Sequence, residues 1–461
     1  MNKKWALVMF SLPLAAVLTI ATKCGRSDTS SRAWSLPQPV RVAGCVDLFP
    51  ELGTWLPAET NDGTAAILAR DGDLLLGNKD SNFLIYREGD GPVLTPAFEK
   101  WGVRLAGKVV SVSLTQGENG TAGGCPWLEQ ASPGDLAAIR LIQFPKEPAA
   151  APLPALQRLA AANPRVALVC DDLDKPNAAF VQALPLFRPR LLALSAGDMV
   201  DAQGRSLLAD QAQVETLLIS GDSGSLEFLR TLPNLRRVWI GGWDPGKTGP
   251  LPPGLTALRS LILTAPEITD LSAVSAAPPE LEELSLAGCR NLADVTGLAR
   301  FSGLKTLMLT GNEKVLDLSG LARLRHLQWV GLPPKISQDQ FAGFLQSHPD
   351  LRILEMVKCE NVTDLAPLRA LKGLEGLILI GSYKNLEVLS ELKSLRFVGV
   401  PEEAFTQSPD QVAAIRKALP NALLVQVKGF CLGSGWILLL IPAVWLGRSL
   451  WRRWASGPRH A

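Results

Sequence analysis

Leu281-Glu-Glu-Leu284-Ser-Leu286-Ala-Gly-Cys289, Leu304-Lys-Thr-Leu307-Met-Leu309-Thr-Gly-Asn312 and Leu351-Arg-Ile-Leu354-Glu-Met356-Val-Lys-Cys359 repeat one phrase, L-x-x-L-x-L-x-x-N/C. Looser copies begin at Leu136, Pro164, Pro189, Val214, Leu235, Leu258, Leu327, Leu374, Leu395 and Ala422. The period is about 23 residues. On a short strand the fourth and sixth positions point to one side, and the third, fifth and seventh to the other. A single copy cannot bury its own apolar layer, so the copies must stack. Stacked this way, the strands form a parallel sheet lining the concave side of a curved solenoid.

A second phrase falls on the return path: Thr269-Asp270-Leu271, Ala293-Asp294-Val295, Leu316-Asp317-Leu318 and Thr363-Asp364-Leu365. Each aspartate is placed to cap a short helical turn. Val274, Leu298, Leu321 and Leu368 follow three residues after the apolar one, and these returns are too short for long helices. The period and phrase are those of a leucine-rich repeat, so the expected class is an α/β solenoid with a parallel concave sheet. From 214 to 400 the chain resembles bacterial leucine-rich-repeat proteins, particularly internalin-like ones, whose convex side carries phrases like Val362-Thr363-Asp364-Leu365-Ala366-Pro367-Leu368. The resemblance implies a recognition protein. It departs at the ninth position, where Asn312 is joined by Cys289 and Cys359 while Asp222, Trp243, Pro266, Lys335, Ser382 and Glu403 stand elsewhere, so a continuous asparagine ladder is not expected.

Outside the repeats, residues 45–133 contain apolar runs at 65–68, 74–76, 83–86 and 109–114 separated by Gly, Asp and Asn, which read as short strands. A small β-rich cap over the open first layer is the simplest reading, with a separate functional domain as the alternative. Residues 24–44 are a linker rich in Ser, Arg and Pro. The solenoid is assigned to 134–428.

The 461-residue chain is 47% hydrophobic and 20% charged, with a mean hydropathy of +0.16, which suggests that part of it is membrane segment. Its 46 basic and 44 acidic residues give a net charge of +2, hence no global field to attract nucleic acid. At the N-terminus, Lys3 and Lys4 precede an uncharged stretch, so 1–23 reads as a signal peptide or a retained anchor. Residues 429–447 carry no charge and, at about 1.5 Å per residue, reach roughly 28 Å as a transmembrane helix. Arg448, Arg452, Arg453 and Arg459 follow, with Trp445, Trp451 and Trp454 at the edge. The positive-inside rule makes 448–461 a cytoplasmic tail and leaves the solenoid outside the cytoplasm. Cys431-Leu-Gly433-Ser-Gly435, the apolar span and the arginines also admit a bacterial sorting signal. Of seven cysteines, Cys45 and Cys125 bracket the cap region and read either as a disulfide or as two buried thiols.

Several phrases suggest chemistry and then fail on context. Gly241-Gly-Trp-Asp-Pro-Gly246-Lys247-Thr248 matches a phosphate loop, but Gly249-Pro250-Leu251-Pro252-Pro253 replaces the helix that would hold phosphate. Gly221-Asp222-Ser223-Gly224 resembles a serine nucleophile segment, yet of the three histidines His326 and His348 lie repeats away and His460 is in the tail. Asp171, Asp172 and Asp174 lack the spacing of a calcium loop, and no zinc constellation is recognisable. No catalytic, cofactor or metal residue is therefore assigned, and no nucleotide or nucleic acid is expected. The rival reading is a hydrolase with acids Asp47, Glu51, Asp71 and Asp73 in the cap region and repeats that select substrate.

The outward positions carry the expectation of a protein partner. The fifth-position column contains Leu218, Trp239, Ile262, Ser285, Met308, Gly331, Glu355, Ile378 and Gly399, and the third-position column contains Arg237, Trp329, Ile353 and Phe397. An exposed apolar row marks a contact surface. The expected partner-binding residues are Leu218, Trp239, Ile262, Met308, Trp329, Ile353, Ile378 and Phe397.

Overall fold

The computed structural model describes residues 54–56, 64–68, 74–78, 102–105, 108–114, 126–144, 152–170, 178–194, 207–220 and 225–427. All of these residues belong to one compact unit. Residues 1–23, 24–44, 83–86, 429–447 and 448–461 lie outside them, as do Cys45, Cys125, Asp171, Asp172, Asp174, Asp47, Glu51, Asp71, Asp73 and the Gly221-Asp222-Ser223-Gly224 phrase. Among the described residues no helix is long and apolar enough to cross a membrane.

Thirteen of the strands are those of the thirteen copies, from Leu141–Phe144 to Leu423–Val427. They join one 15-stranded sheet whose spatial order is the chain order, and every pair is parallel except Gly102–Leu105 with Lys108–Ser113. That arrangement is what stacking demands: each copy pairs only with the one before and the one after. A separate antiparallel sheet of Thr54–Leu56, Thr64–Leu68 and Leu74–Asn78 precedes it. The strand Lys108–Ser113 adds a parallel layer ahead of the first leucine phrase, which its sequence does not announce.

One buried column runs through Val112, Ile142, Leu168, Leu192, Leu217, Val238, Leu261, Leu284, Leu307, Val330, Leu354, Leu377 and Val398, each paired with the next in register. This column corrects three of the expected starts. Leu136 belongs to the helix Pro133–Ala138 and the first phrase begins at Ile139. Leu168, not Ala167, aligns with Leu192, which moves the second start from Pro164 to Arg165. Leu424 aligns with Val398, which moves the last from Ala422 to Asn421.

The aspartates cap the returns as expected. The amides of Ser272, Thr296, Ser319 and Ala366 donate to Asp270, Asp294, Asp317 and Asp364 at 2.7, 2.8, 2.9 and 2.8 Å. One-turn segments follow: Ser272–Val274, Thr296–Arg300, Ser319–Arg323 and Ala366–Ala370. Longer helices occupy returns without the aspartate phrase, such as Gln338–Ser347 and Pro409–Ala418.

These hydrogen bonds hold all four carboxyls below their usual value: the Ser272 side chain first for Asp270, the backbone amides first for the others. A depressed carboxylate pKa contributes stability that is present above the unfolded value and lost as pH falls through the folded one. The urea midpoint should therefore fall as pH is lowered below about 4. Asp317→Asn, which keeps an acceptor but not the charge, should flatten that acid limb; an unchanged slope would show that these caps do not couple to protons.

Candidate recognition face

Strand alternation places the fifth-position column on one face, in unbroken register: Leu218, Trp239, Ile262, Ser285, Met308, Gly331, Glu355, Ile378 and Gly399. The third-position column beside it brings Arg237, Ser260, Glu283, Thr306, Trp329, Ile353, Gly376 and Phe397 together. For Phe397 only the backbone position in its strand is described.

The exposure of this row differs from the expectation. Leu218, Ile262, Met308, Trp329, Ile353 and Ile378 are all buried, none more than 4% exposed. Trp239 alone among the described members of the expected set keeps partial exposure. Part of the burial is lateral, because large side chains lie flat over small neighbours. A Cβ on Gly331 would come within 2.2 Å of Met308 Cε, and one on Gly241 within 2.6 Å of Trp239 Cη2. Trp329 Nε1 donates to Glu355 Oε1 at 2.6 Å, both side chains buried, so an acid sits in the middle of an apolar floor.

A charged rail borders the face, supplied by the residue after each leading apolar one. Glu215 pairs with Arg190 at 2.5 Å and Lys305 with Glu282 at 2.9 Å, while Glu375 takes Arg352 at 2.9 Å and Arg396 at 3.5 Å. Partly exposed pairs of this kind add little stability individually. With Arg236 and Arg259 in the same position of their copies, basic residues outnumber acidic ones along this rail. The sequence reading missed this rail, although its signal is plain in Arg190, Glu215, Arg236, Arg259, Glu282, Lys305, Arg352, Glu375 and Arg396, interrupted only by Gln328.

The ninth position is a donor ladder in which cysteine and asparagine are equivalent. Asn312 Nδ2 donates to the Leu286 carbonyl at 2.9 Å, Cys289 Sγ to the Leu263 carbonyl at 3.8 Å and Cys359 Sγ to the Pro333 carbonyl at 3.7 Å. Burial pushes the thiol of Cys289 up to about 11 and that of Cys359 up to about 12, which removes their nucleophilic form. Trp243 fills the same position differently: its ring is fully buried and Nε1 donates to Thr248 Oγ1 at 2.9 Å.

That contact explains the phosphate-loop phrase. Pro245–Thr248 is a single helical turn whose Gly246 amide donates to Asp244 Oδ1 at 3.0 Å. A carboxylate already occupies the place of a phosphate, and Lys247 Nζ lies 3.3 Å from it. His348 is also structural: Nδ1 lies 3.0 Å from the Phe344 carbonyl and Nε2 3.1 Å from the Leu321 carbonyl, on the convex side, and burial lowers its pKa. Among the described residues no cluster of His, Cys, Asp and Glu could hold a metal ion.

No protein-family model matches this chain. No curated protein matches it either. Solved structures with similar folds include an internalin (inlF) from Listeria monocytogenes, 19% identical over 66% of this chain and 87% of that one, with a TM-score of 0.35. An internalin C2 (inlC2) from the same organism is 19% identical over 51% of this chain and 76% of that one, with a TM-score of 0.23. TLR13, solved as a complex with ssRNA13, is 15% identical over 64% of this chain and half of its own length, with a TM-score of 0.34. Independently of these likenesses, the period, the parallel register and the buried column make the chain a leucine-rich-repeat solenoid.

Proposed function

We propose that this solenoid recognises another protein through its concave face and is held at a membrane with the repeats outside the cytoplasm. The observation that carries the reading is the apolar outward column, since Ile262, Met308 and Ile378 point away from the leucine core and have no part in it. Of the apolar members of this column, Trp239 is the one with surface open to a partner. Trp239 is the anchor, a partly exposed indole on a backbone already fixed by two neighbouring strands. A pre-organised surface loses little entropy on binding.

Trp239→Ala should weaken capture of a partner from native membranes by about 2 kcal/mol or more, roughly thirtyfold, with the melting temperature of the purified protein nearly unchanged. Adding Met308→Ala should weaken capture further, now with some loss of stability because Met308 is buried. Unchanged capture by both variants would rule out the concave face. For the membrane part of the reading, protease added to intact cells, or to spheroplasts where an outer membrane is present, should digest the repeats and spare a tag placed after Ala461. Digestion of the tag would reverse the topology.

A further inference from the structure

We propose that the occupant of the concave face is an acidic stretch of a protein partner, seated on the indole of Trp239 and the guanidinium groups of Arg236, Arg237 and Arg259. The inference rests on the reading of this face as the recognition surface and names the chemistry of what it takes. Charge on the face is sorted along the solenoid. In the second, third and fifth positions of the copies starting at Pro189, Val214, Leu235 and Leu258, the bases Arg190, Arg236, Arg237 and Arg259 stand against a single acid, Glu215. In the copies from Leu281 to Leu395 the balance reverses. There Glu282, Glu283, Glu355 and Glu375 outnumber Lys305, Arg352 and Arg396. The small net charge of the chain therefore hides a basic end of the face and a weakly acidic one. Trp239, the open member of the apolar column, lies in the basic end. Trp and Arg are also the side chains that most often carry interface energy.

The acids nearest the basic end are already engaged. Arg190 donates to both oxygens of Glu215, from Nε at 3.1 Å and from Nη2 at 2.5 Å, so that pair is locally neutral. Glu282 is taken by Lys305 at 2.9 Å, and Glu283 accepts from the Ser260 hydroxyl at 2.6 Å. Among the described residues no carboxylate pairs with Arg236 or Arg259. Arg236 is exposed. Arg259 Nη1 donates to the carbonyls of Thr256 and Leu258 at 3.0 and 2.8 Å, which fixes its guanidinium before any partner arrives. The register that pairs Arg237 with Ser260 sets Arg236 and Arg259 one strand apart, about 4.8 Å. Carboxylates two residues apart on an extended peptide are separated by about 7 Å, within reach of two arginine side chains. Guanidinium groups suit them, since their planar donors match a carboxylate. Trp239 lies flat over Gly241, with Cη2 2.6 Å from where a Cβ would stand, which leaves a broad ring face for an apolar side chain between those acids. A nucleic-acid strand fits less well, because its phosphates continue at every step and would run on to Glu282 and Glu283, whereas an acidic stretch of peptide ends before them.

Selection from a random peptide library displayed on phage, against the full chain in mild detergent, tests the chemistry. Recovered peptides should carry Asp and Glu at roughly twice their frequency in the unselected library, beside a large apolar residue. Binding of the most enriched peptide, read by fluorescence anisotropy, should weaken roughly tenfold with Arg236→Glu and less than about twofold with Lys314→Glu. Lys314 is the control because its reversal changes net charge equally, yet its side chain bonds Asn291 on the neighbouring turn and lies outside the strands. Recovery of no peptides, or of neutral or basic ones, overturns the proposal, and so does an equal effect of the two reversals. Tighter, Arg236-dependent binding of single-stranded polyuridylate overturns it as well, by making nucleic acid the occupant. If Arg236→Glu fails to fold, Arg236→Gln decides: about threefold weaker binding supports the seat and unchanged binding refutes it. Partner capture by Trp239→Ala is read separately, so a fall in capture with no acidic enrichment leaves the face right and this occupant wrong.

Discussion

Leu307→Ala is expected to lower the unfolding free energy by about 2–5 kcal/mol. Leu307 has no exposed surface and stands between Leu284 and Val330 in the buried column. Removing its isobutyl group leaves a void that neither neighbour can fill, because each strand is held in register by hydrogen bonds on both sides. In a stacked fold the loss is felt by two interfaces at once. Urea unfolding of the wild type and the variant measures it. A loss below about 1 kcal/mol would mean that the layers can close over the gap, contrary to tight core packing.

Trp243→Ala is expected to cost about 3–5 kcal/mol, while Lys247→Ala, four residues on, should leave stability within about 0.5 kcal/mol. Trp243 is fully buried and bonded to Thr248, whereas the Lys247 side chain is 71% exposed and meets only Asp244. A nucleotide-binding loop would show the opposite pattern: stability indifferent to the tryptophan, and ATP binding that disappears with Lys247→Ala. Thermal melting of both variants, with and without ATP and magnesium, separates the two. ATP-dependent stabilisation that is lost with Lys247→Ala would restore the phosphate-loop reading.

Much of the fold was legible where leucines alternate with polar residues. In Leu304-Lys-Thr-Leu307-Met-Leu309 the phase of the strand is unambiguous, and the buried side is the expected one. Phase failed where alternation is absent: all four residues of Ala167–Cys170 are buried, so apolar pattern alone cannot say which pair faces the core. There the ladder register decided, shifting the start to Arg165. The strand Lys108–Ser113 was legible as a strand, but its place in the parallel sheet was not, because it has valines and no leucine phrase. The capping aspartates were legible because their effect is local, reaching two residues along the chain. Glu355 was not, because its burial and its bond to Trp329 join residues 26 apart.

For the candidate site the division is sharper. The order of residues alone determined which side chains share the concave face, since a period of two within each strand and about 23 between strands leaves no other arrangement. Tertiary structure alone decided how open that face is. The column expected to be exposed is buried from Leu218 to Ile378, with only Trp239 partly open. Pointing direction is set by the local backbone and can be read from the pattern. Exposure is set by whatever lies above the sheet and by how side chains settle over neighbouring glycines, and those contacts join positions that no short stretch of sequence contains.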